Sequence, residues 1–574
     1  MPEYLAPAVY VEETSFRAKS IAGVGTSTAA FVGPCARGPI SSGANALTPP
    51  LLTSPSDFER IYGGPDALRI NGAATPNYLA LAVQAFFANG GGRLYVARIA
   101  GAGAAAPASG ELTPADSGVS FTARAPAGAR IGASADNFRV SIAQVQVEST
   151  KAIALRKPPG TMVRVGDEYY VIGTVPMVTS AADASAFEAL ADGGALQLVS
   201  ASVAVEDPAG VVWEGSDLGF HPLHPRYAGS ILGASPPNAD DAMTNPVRLD
   251  VEADTTAPVL REALCGADGA GRTVALTGGT DGNAAPTPAV YTEALNTLLA
   301  LEDVSIIAAP GGAEIGSAAG INQALIASAE TRRAYRIAVL ETASQQSIAQ
   351  VRTTKSGLDS SHAALYYPWI TTSNPVAATD PLAPGRIDVP PAGAVCGIYA
   401  RTDIERGVWK APANETVTGA VGLQRHVRFG EQEVLNPLGV NCIRALPNRG
   451  IRVWGARTAS SDPEWKYVPV RRYFLYLEAS IDRGTQWAVF EPNGERLWDN
   501  VRTAVTDFLY SEWVSGALLG ATPAEAFFVR CGRDTMTQND IDNGRLVCLV
   551  GVAALKPAEF VIFRIGQKTA GADG

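Results

Sequence analysis

The sequence predicts a multidomain α/β protein with extended arms at both ends. The chain has 574 residues. This is too long for a single hydrophobic core, because single cores stop growing near about 250–300 residues. Residues 229–370 alternate between strand-like and helix-like patterns, which is typical of a largely parallel sheet covered by helices. Residues 101–228 show short β-like runs instead. We therefore expect an α/β middle domain, a mostly β inserted domain and an α+β C-terminal domain.

Changes in composition set the expected domain boundaries. An Ala-, Gly-, Ser- and Pro-rich stretch begins at residue 101, and a Pro- and Gly-rich crossing occupies 371–395. Both are typical of linkers. The expected parts are an N-terminal arm at 1–20, an α/β domain formed by 21–104 and 229–370, an insertion at 105–228 and a C-terminal domain at 371–574.

Apolar patterns and breakers predict the individual elements. Thr75-Pro76 is a suitable helix start, with Thr as N-cap and Pro at the first helical position. Gly90-Gly91-Gly92 should end that helix. The predicted strands are Thr28–Gly33, Arg93–Ile99, Val274–Leu276, Val304–Ala308, Tyr335–Leu340, Ile451–Trp454, Trp487–Phe490 and Glu559–Ile565. The predicted helices are Tyr78–Phe87, 289–301, 321–333 and Asp499–Ser515.

Charge and cysteine usage exclude several classes of protein. The net charge of −11 argues against a nucleic-acid binder. The six cysteines are scattered without a CxxC pair, which suits buried thiols in a reducing cytoplasm. We expect no signal peptide and no membrane insertion, because neither a leader pattern nor an apolar run of about 18–20 uncharged residues is present.

The sequence offers little for catalysis. The loop Thr277–Gly282 follows a strand but lacks the Lys-Ser/Thr of a P-loop, so a tight turn explains it better than phosphate binding. Ala309–Gly312 is equally ambiguous. His221 and His224 are interrupted by prolines and have no acidic or thiol ligand nearby in sequence. With four histidines in the chain, we expect no enzyme, no cofactor and no metal site.

Two strand-like segments lack an obvious local partner. Val9, Tyr10 and Val11 form one, and the apolar run Phe560, Val561, Ile562 and Phe563 forms the other. A strand without a neighbour in its own chain must pair at a distance or with another chain. We therefore predict that these residues contact other subunits.

Arginines gather among aromatic residues in the last third of the chain. Arg457, Arg471 and Arg472 lie near tryptophan and tyrosine in sequence, and Arg502 lies on the predicted helix Asp499–Ser515. Such mixtures indicate either internal packing or a protein interface, and both interpretations stay open.

Several motifs, in one order, resemble a known family. They are Pro7–Glu13, Gly23–Gly33, Phe86–Gly91, Leu276–Gly282, Ala364–Trp369, Gly407–Asn414, Leu435–Pro437, Val453–Thr458, Tyr467–Glu478, Phe490–Asn493 and Pro557–Val561. Together they are similar to the contractile tail sheath proteins of myophages, R-type pyocins and extracellular contractile injection systems. Ala8 stands where that family usually has Gly. The resemblance omits roughly residues 101–228, which we interpret as a variable outer insertion.

The resemblance implies a structural role. Sheath subunits polymerise helically around an inner tube, exchange arm strands with their neighbours, and contract to drive the tube through a target envelope. The implied partners are copies of the chain itself, the tube protein, and baseplate and tail terminator proteins, with the C-terminal domain facing the tube. Assembly would occur in the host bacterial cytoplasm, and the final location would be a virion tail or an extracellular particle.

Other interpretations remain open at this point. A static shell or surface-layer protein could use similar modules without a tube. A multidomain α/β hydrolase or nucleotide-dependent enzyme is a further alternative. A type VI secretion sheath fits less well, because its corresponding parts are divided between two chains. The sequence does not distinguish a phage from a pyocin or an extracellular injection system.

Overall fold

The structure is a computed structural model that describes residues 20–36, 38–42, 46, 48–100, 109–111, 118–123, 138–173, 178–179, 185–207, 210–278 and 285–563. Their contacts divide the described residues into two units. The larger unit contains residues from 26–406 and 410–468, and the smaller unit contains residues from 20–25, 407–409 and 469–563. The predicted arm residues Val9, Tyr10 and Val11 lie outside the described residues.

The segment from residue 28 to residue 99 contributes strands to a large sheet and helices to its surface. Its elements are β1 (Thr28–Pro34), β2 (Leu51–Leu52), α1 (Pro55–Tyr62), β3 (Leu68–Ile70), β4 (Ala73–Thr75), α2 (Tyr78–Ala88) and β5 (Arg93–Ile99). The predicted strands at 28–33 and 93–99 are confirmed. The predicted helix start is wrong by two residues: Asn77 is the N-cap, and its side chain accepts a hydrogen bond from the amide of Ala80 at 3.2 Å. Thr75 instead pairs with Leu68 in a short hairpin.

Residues 109–278 form a β-rich part of the larger unit. Its elements are β6 (Ser109–Glu111), β7 (Val119–Ala123), β8 (Arg139–Thr150), α3 (Lys151–Ala154), β9 (Met162–Val165), β10 (Glu168–Ile172), β11 (Val178–Thr179), α4 (Ser185–Glu188), β12 (Ala195–Asp207), β13 (Gly210–Leu218), α5 (Ala228–Ile231), α6 (Ala239–Thr244), β14 (Val247–Val251), α7 (Ala257–Cys265) and β15 (Arg272–Ala275). The sheet order is β11-β10-β9-β12-β8-β15, with β13 also paired to β12.

The predicted end of the insertion at residue 228 is too early. Strand β14 pairs with β7, and β15 pairs with β8, so both belong to the β-rich part. Leu260 and Leu264 of α7 are buried in the same core as Val203 of β12. The strand near Val274 was assigned to the α/β domain because it is apolar, but its residues alternate between partial burial and exposure, as expected of an edge strand.

The remainder of the larger unit returns to α/β alternation. Its elements are α8 (Pro288–Thr297), a 3₁₀ turn (Leu298–Ala300), β16 (Ile306–Ala308), α9 (Gly312–Ile315), α10 (Ala318–Ala329), β17 (Ile337–Glu341), α11 (Ile348–Ser356), β18 (Ala363–Tyr367), β19 (Ile370–Ser373), a 3₁₀ turn (Pro375–Ala378), β20 (Arg386–Val389), α12 (Ala392–Arg406), β21 (Glu415–Thr416), β22 (Ala420–Leu423), α13 (Phe429–Leu435), β23 (Val440–Leu446) and β24 (Gly450–Trp454). The helices predicted at 289–301 and 321–333 are confirmed with small shifts of their ends.

A nine-stranded sheet forms the centre of the larger unit, in the order β2-β5-β1-β16-β17-β18-β23-β24-β21. The pairs from β5 to β23 are parallel, and the strands added at the two edges are antiparallel. Every residue of β16, β17 and β18 is buried, as a parallel sheet covered on both faces requires. The predicted largely parallel sheet is confirmed. The predicted domain boundary at residue 371 is wrong, because β23 continues this sheet beside β18.

The smaller unit is built on two long helices and a hairpin. Its elements are α14 (Val468–Gly484, whose first residue falls in the larger unit), a 3₁₀ turn (Gln486–Ala488), α15 (Glu495–Val514), α16 (Pro523–Ala526), β25 (Phe527–Cys531), α17 (Gln538–Asp542) and β26 (Cys548–Val552). Tyr473 and Leu477 share one face of α14 and are buried in the same core as Phe508 of α15. The long helix is confirmed and starts four residues earlier than predicted. The strand predicted at Trp487–Phe490 is wrong: Trp487 and Ala488 lie in the 3₁₀ turn, and Val489 and Phe490 lie in the turn that follows it.

Candidate assembly interface

The hairpin of β25 and β26 lies on the surface of the smaller unit. Phe527 pairs with Val552, and Cys531 pairs with Cys548 at the other end of the ladder. Phe527 and Val529 pack against the core of α14 and α15, while Phe528 and Leu549 are about half exposed. Within the described residues no third strand joins this sheet. Two-stranded sheets are marginal by themselves, so the open edges favour addition of another strand.

The described end of the chain follows the hairpin directly. The last in-chain β-bridge joins Ala554 to Leu518, and residues 555–563 have no regular secondary structure. The side chains of Phe560, Val561, Ile562 and Phe563 are 70%, 70%, 79% and 83% exposed. The strand predicted at Glu559–Ile565 is therefore absent from 559–563 in the single chain, and residues 564–565 lie outside the described part. Four consecutive large apolar side chains in water indicate an interaction segment.

Three of the four predicted interface arginines are internal. Arg457, Arg471 and Arg472 are only 6%, 8% and 3% exposed. The guanidinium of Arg457 donates to the carbonyl of Asn436 at 2.8 Å. Arg471 lies 3.4 Å from the carboxylate of Glu478, and burial lowers its pKa. These three side chains are therefore packed within the single chain.

Arg502 differs from the other arginines. Its side chain is 46% exposed on α15 and forms an ion pair of 2.6 Å with Asp499, one helical turn earlier. Exposed pairs of this kind contribute at most about 1 kcal/mol. The guanidinium also donates to the carbonyl of Cys531 at 3.5 Å. Of the four arginines, Arg502 is the one with a charged end that is partly exposed to solvent.

The loops considered for phosphate or metal binding have other roles. The amide of Gly311 donates to the carboxyl group of Glu341 at 2.6 Å, so a buried acid already occupies the position that an anion would need. The ring nitrogens of His221 and His224 each accept a bond from a backbone amide two residues on, at 3.1 Å. Residues 279–284 lie outside the described part. Among the described residues no group of His, Cys, Asp or Glu could hold a metal ion, and no helix is long and apolar enough to cross a membrane.

Glu341 is a buried acid in the core of the larger unit. It ends β17, is 3% exposed, and burial raises its pKa well above the usual value of 4.5. Sequence reasoning missed it, although an acidic residue at the end of the apolar run Ile337–Leu340 is the signal that could have identified it. The hairpin β25–β26 was missed as well, although Phe527–Cys531 has a partly alternating pattern.

We expect this burial to make stability depend on pH. Above pH 4.5 the unfolded state loses its proton from Glu341 while the folded state keeps it, so stability falls as the pH rises toward the folded pKa. The neutral variant Glu341→Gln removes this effect. The difference in unfolding free energy, variant minus wild type, should therefore rise by up to about 1.4 kcal/mol for each pH unit above 4.5. Urea unfolding at pH 5 and pH 8 measures the difference, with the exposed Glu405→Gln as control. A difference that stays constant with pH would contradict the assignment.

Comparison with known proteins decides the family. Residues 284–459 match the phage tail sheath protein central domain, and residues 460–568 match the phage tail sheath C-terminal domain. This chain belongs to the contractile tail sheath family. The boundary between the two matches, at residue 459, lies close to residue 469, where the C-terminal segment of the smaller unit begins. Sheath proteins are structural proteins and not enzymes.

Curated sheath proteins are similar to part of the chain. The prophage major tail sheath protein of Pseudomonas aeruginosa strain UCBPP-PA14 is 28% identical over 183 residues, which is 31% of this chain and 45% of that protein. The tail sheath protein of Enterobacteria phage T4 is 23% identical over 189 residues, which is 32% of this chain and 28% of that protein. The aligned parts thus span less than half of these relatives.

Solved structures of sheaths share the fold over nearly the whole chain. The helical sheath of the anti-feeding prophage in the contracted state has a TM-score of 0.54 and 21% identity, covering 99% of this chain and 100% of that one. The sheath of the extracellular contractile injection system PVC in the contracted state has a TM-score of 0.52 and 21% identity, covering 99% of both chains. At this identity the likeness concerns the fold alone.

Proposed function

We propose that this chain is the structural subunit of a contractile sheath, which polymerises helically around an inner tube and contracts to drive that tube through a target envelope. The observation that carries the proposal is the apolar segment Phe560–Phe563, which is exposed in the isolated chain. The open hairpin β25–β26 adds a surface to which such a segment could pair. Membership of the sheath family supports it. The proposed location is a virion tail or an extracellular contractile particle.

The proposed link between subunits is strand addition. Within the part of the chain that the structure describes, no further strand joins the hairpin, and the half-exposed Phe528 and Leu549 offer apolar contacts to an incoming strand. Segments 9–11 and 560–563 are the proposed donors. Backbone pairing would satisfy the amides of the donor, and burial of its apolar side chains would contribute roughly 25 cal/mol for each Å² removed from water. A head-to-tail contact of this type that does not close into a ring generates a helical polymer.

The other partners follow from the same role. The tube protein, the baseplate and the tail terminator are the proposed contacts of the polymer, and Arg502 is the remaining candidate for a charged contact with the tube. The β-rich residues 109–278 precede the matched family domains, so we propose that they form the outer part of the sheath. Contraction would be a rigid-body change between two packings of the subunits.

The test is assembly with an inner tube. We expect co-expression of the chain with a contractile-tail tube protein from the same source to give hollow helical cylinders that surround the tube in negative-stain micrographs. Added salt should weaken retention of the tube if Arg502 makes an exposed charged contact, because the Debye length is only about 8 Å at 0.15 M. Closed shells or flat lattices without a tube would instead indicate a static shell protein. A chain that stays monomeric under all conditions would overturn the proposal.

A further inference from the structure

Two cysteines face each other across the hairpin. Cys531 ends β25, Cys548 begins β26, and the two are direct partners in the antiparallel register. Opposed residues in such a ladder have Cα atoms about 4.5–5.5 Å apart. Disulfides need about 4.4–6.8 Å, so the backbone geometry suits a bond between the two sulfurs. Both cysteines are free thiols in the structure.

The two thiols differ in exposure and acidity. Cys548 is partly exposed, while Cys531 is only 2% exposed. The thiol of Cys531 donates a hydrogen bond to the sulfur of Cys548 and thereby lowers the pKa of Cys548, and the nearby charge of Arg502 acts in the same direction. The same hydrogen bond and burial raise the pKa of Cys531, and the charge of Asp534 adds to this. Cys548 is therefore the more readily ionised and the more accessible nucleophile.

The remaining cysteines lack these features. Burial raises the pKa values of Cys35, Cys265 and Cys442 to about 12. Cys396 is fully buried within α12. Thiols in such surroundings stay protonated and out of reach, and only thiolates attack disulfides.

We propose that Cys531 and Cys548 form a redox-active dithiol that closes into an intramolecular disulfide when the protein meets a small disulfide oxidant, such as oxidised glutathione. The Cys548 thiolate attacks one sulfur of the oxidant and releases one thiol, leaving a mixed disulfide on Cys548. Cys531 then loses its proton and attacks the Cys548 sulfur, which releases the second thiol. The dithiol is oxidised by two electrons, and the oxidant is reduced to two thiols.

The bond would tie together the two ends of the hairpin connection. Residues 532–547 would become a closed loop, and the ends of β25 and β26 that border this loop could no longer separate. This chemistry belongs to the single chain and does not depend on the proposed polymer. In an assembled particle that leaves a reducing cytoplasm, it would stiffen the same hairpin that we propose as the acceptor of strands.

The experiment treats the folded, reduced, full-length protein with oxidised glutathione, removes the reagent, and counts free thiols after denaturation. The chain has six cysteines, and we expect the count to fall from six to four. Peptide mapping without reductant should then show one crosslink, between the peptides of Cys531 and Cys548. A count that stays at six, or two separate glutathione adducts without a crosslink, would overturn the proposal.

Matched variants separate the two roles. Cys531→Ser should stop at the mixed disulfide, so that glutathione remains on Cys548 and one thiol is lost. Cys548→Ser should lose none, and because this side chain is partly exposed the substitution should not disturb folding. Cys442→Ser, a fully buried control, should still lose two. Equal loss of thiols in Cys548→Ser and wild type would contradict the assignment of Cys548 as the nucleophile.

Discussion

A chain that ends at residue 555 is expected to fold normally and to form no sheath. The deletion leaves the last in-chain bridge, between Leu518 and Ala554, intact. It removes the four side chains Phe560–Phe563, which are at least 70% exposed and so contribute little to the fold. The unfolding free energy should therefore change by less than about 0.5 kcal/mol. If the segment adds a strand to a neighbour, ordered polymers should disappear completely.

Circular dichroism and electron microscopy measure the two outcomes separately. Leu382→Ser is the matched control, because Leu382 is a 94% exposed apolar residue far from the segment in sequence, and its replacement should leave assembly unchanged. Ile562→Pro is a milder version of the deletion, since it removes one ladder donor and fixes φ. The same logic predicts that removal of residues 1–15, or Tyr10→Pro, also stops assembly. Sheaths of normal length from the shortened chain would show that this segment is not the link.

Gly393→Ala should destabilise the larger unit, although Ala is the better helix former. A methyl group on Gly393 of α12 would lie 2.5 Å from the carbonyl oxygen and 2.6 Å from the Cα of Ala82 in α2. Both atoms belong to the backbone, so relief requires the helices to move apart. Helix propensity alone would favour Ala over Gly by about 1 kcal/mol. Overpacking typically costs about 1–3 kcal/mol, and we expect the net effect to be destabilising.

Thermal unfolding of Gly393→Ala and of the control Gly430→Ala tests whether the same substitution lowers stability at one helix position and not at the other. Gly430 also lies in a helix, α13, and the nearest heavy atom to an added methyl group there is 3.9 Å away, at the end of the flexible Glu433 side chain. Gly430→Ala should therefore be neutral or slightly stabilising. Similar melting temperatures for the two variants would contradict close packing of α2 against α12.

The central sheet was predictable because its strands are short apolar runs between helix-like patterns. Strands β16, β17 and β18 are buried on both faces. A strand of this kind needs consecutive apolar residues, and Ile306–Ala308 and Ile337–Leu340 show that pattern in the sequence. The extent of the β-rich part was not predictable by the same rule. The edge strand Arg272–Ala275 and the interior strand Val440–Leu446 are assigned correctly only when their distant partners are known.

The candidate interface was predictable in part. The apolar character of Phe560–Phe563 is visible in sequence, and the structure adds that no part of the described chain pairs with it as a strand. The burial of Arg457, Arg471 and Arg472 was not visible, because arginine among aromatics has the same pattern whether it packs inside or faces a partner. The pairing of Cys531 with Cys548 depends on a register across 16 intervening residues, which local patterns do not specify.

The order of strands in the central sheet has a consequence for biosynthesis. Strand β1 can pair with β5 early, but its other ladder, which joins Ala29 to Ile306 of β16, cannot form until residue 306 has been synthesised. At about 5–20 residues per second, a ribosome needs on the order of tens of seconds to supply the missing partner. The β-rich residues 109–278 pair mainly with one another and can fold during this delay.

Once folded, the β-rich part would hold the chain segments before and after it close together. Helix α8, which follows it, packs against β5, which precedes it. If the intervening residues, almost two hundred in number, are already folded, they no longer behave as a flexible loop. The entropy cost of bringing β5 and α8 together is then smaller. The insertion would therefore assist folding of the chain during synthesis, independently of the surface that it presents in the mature particle.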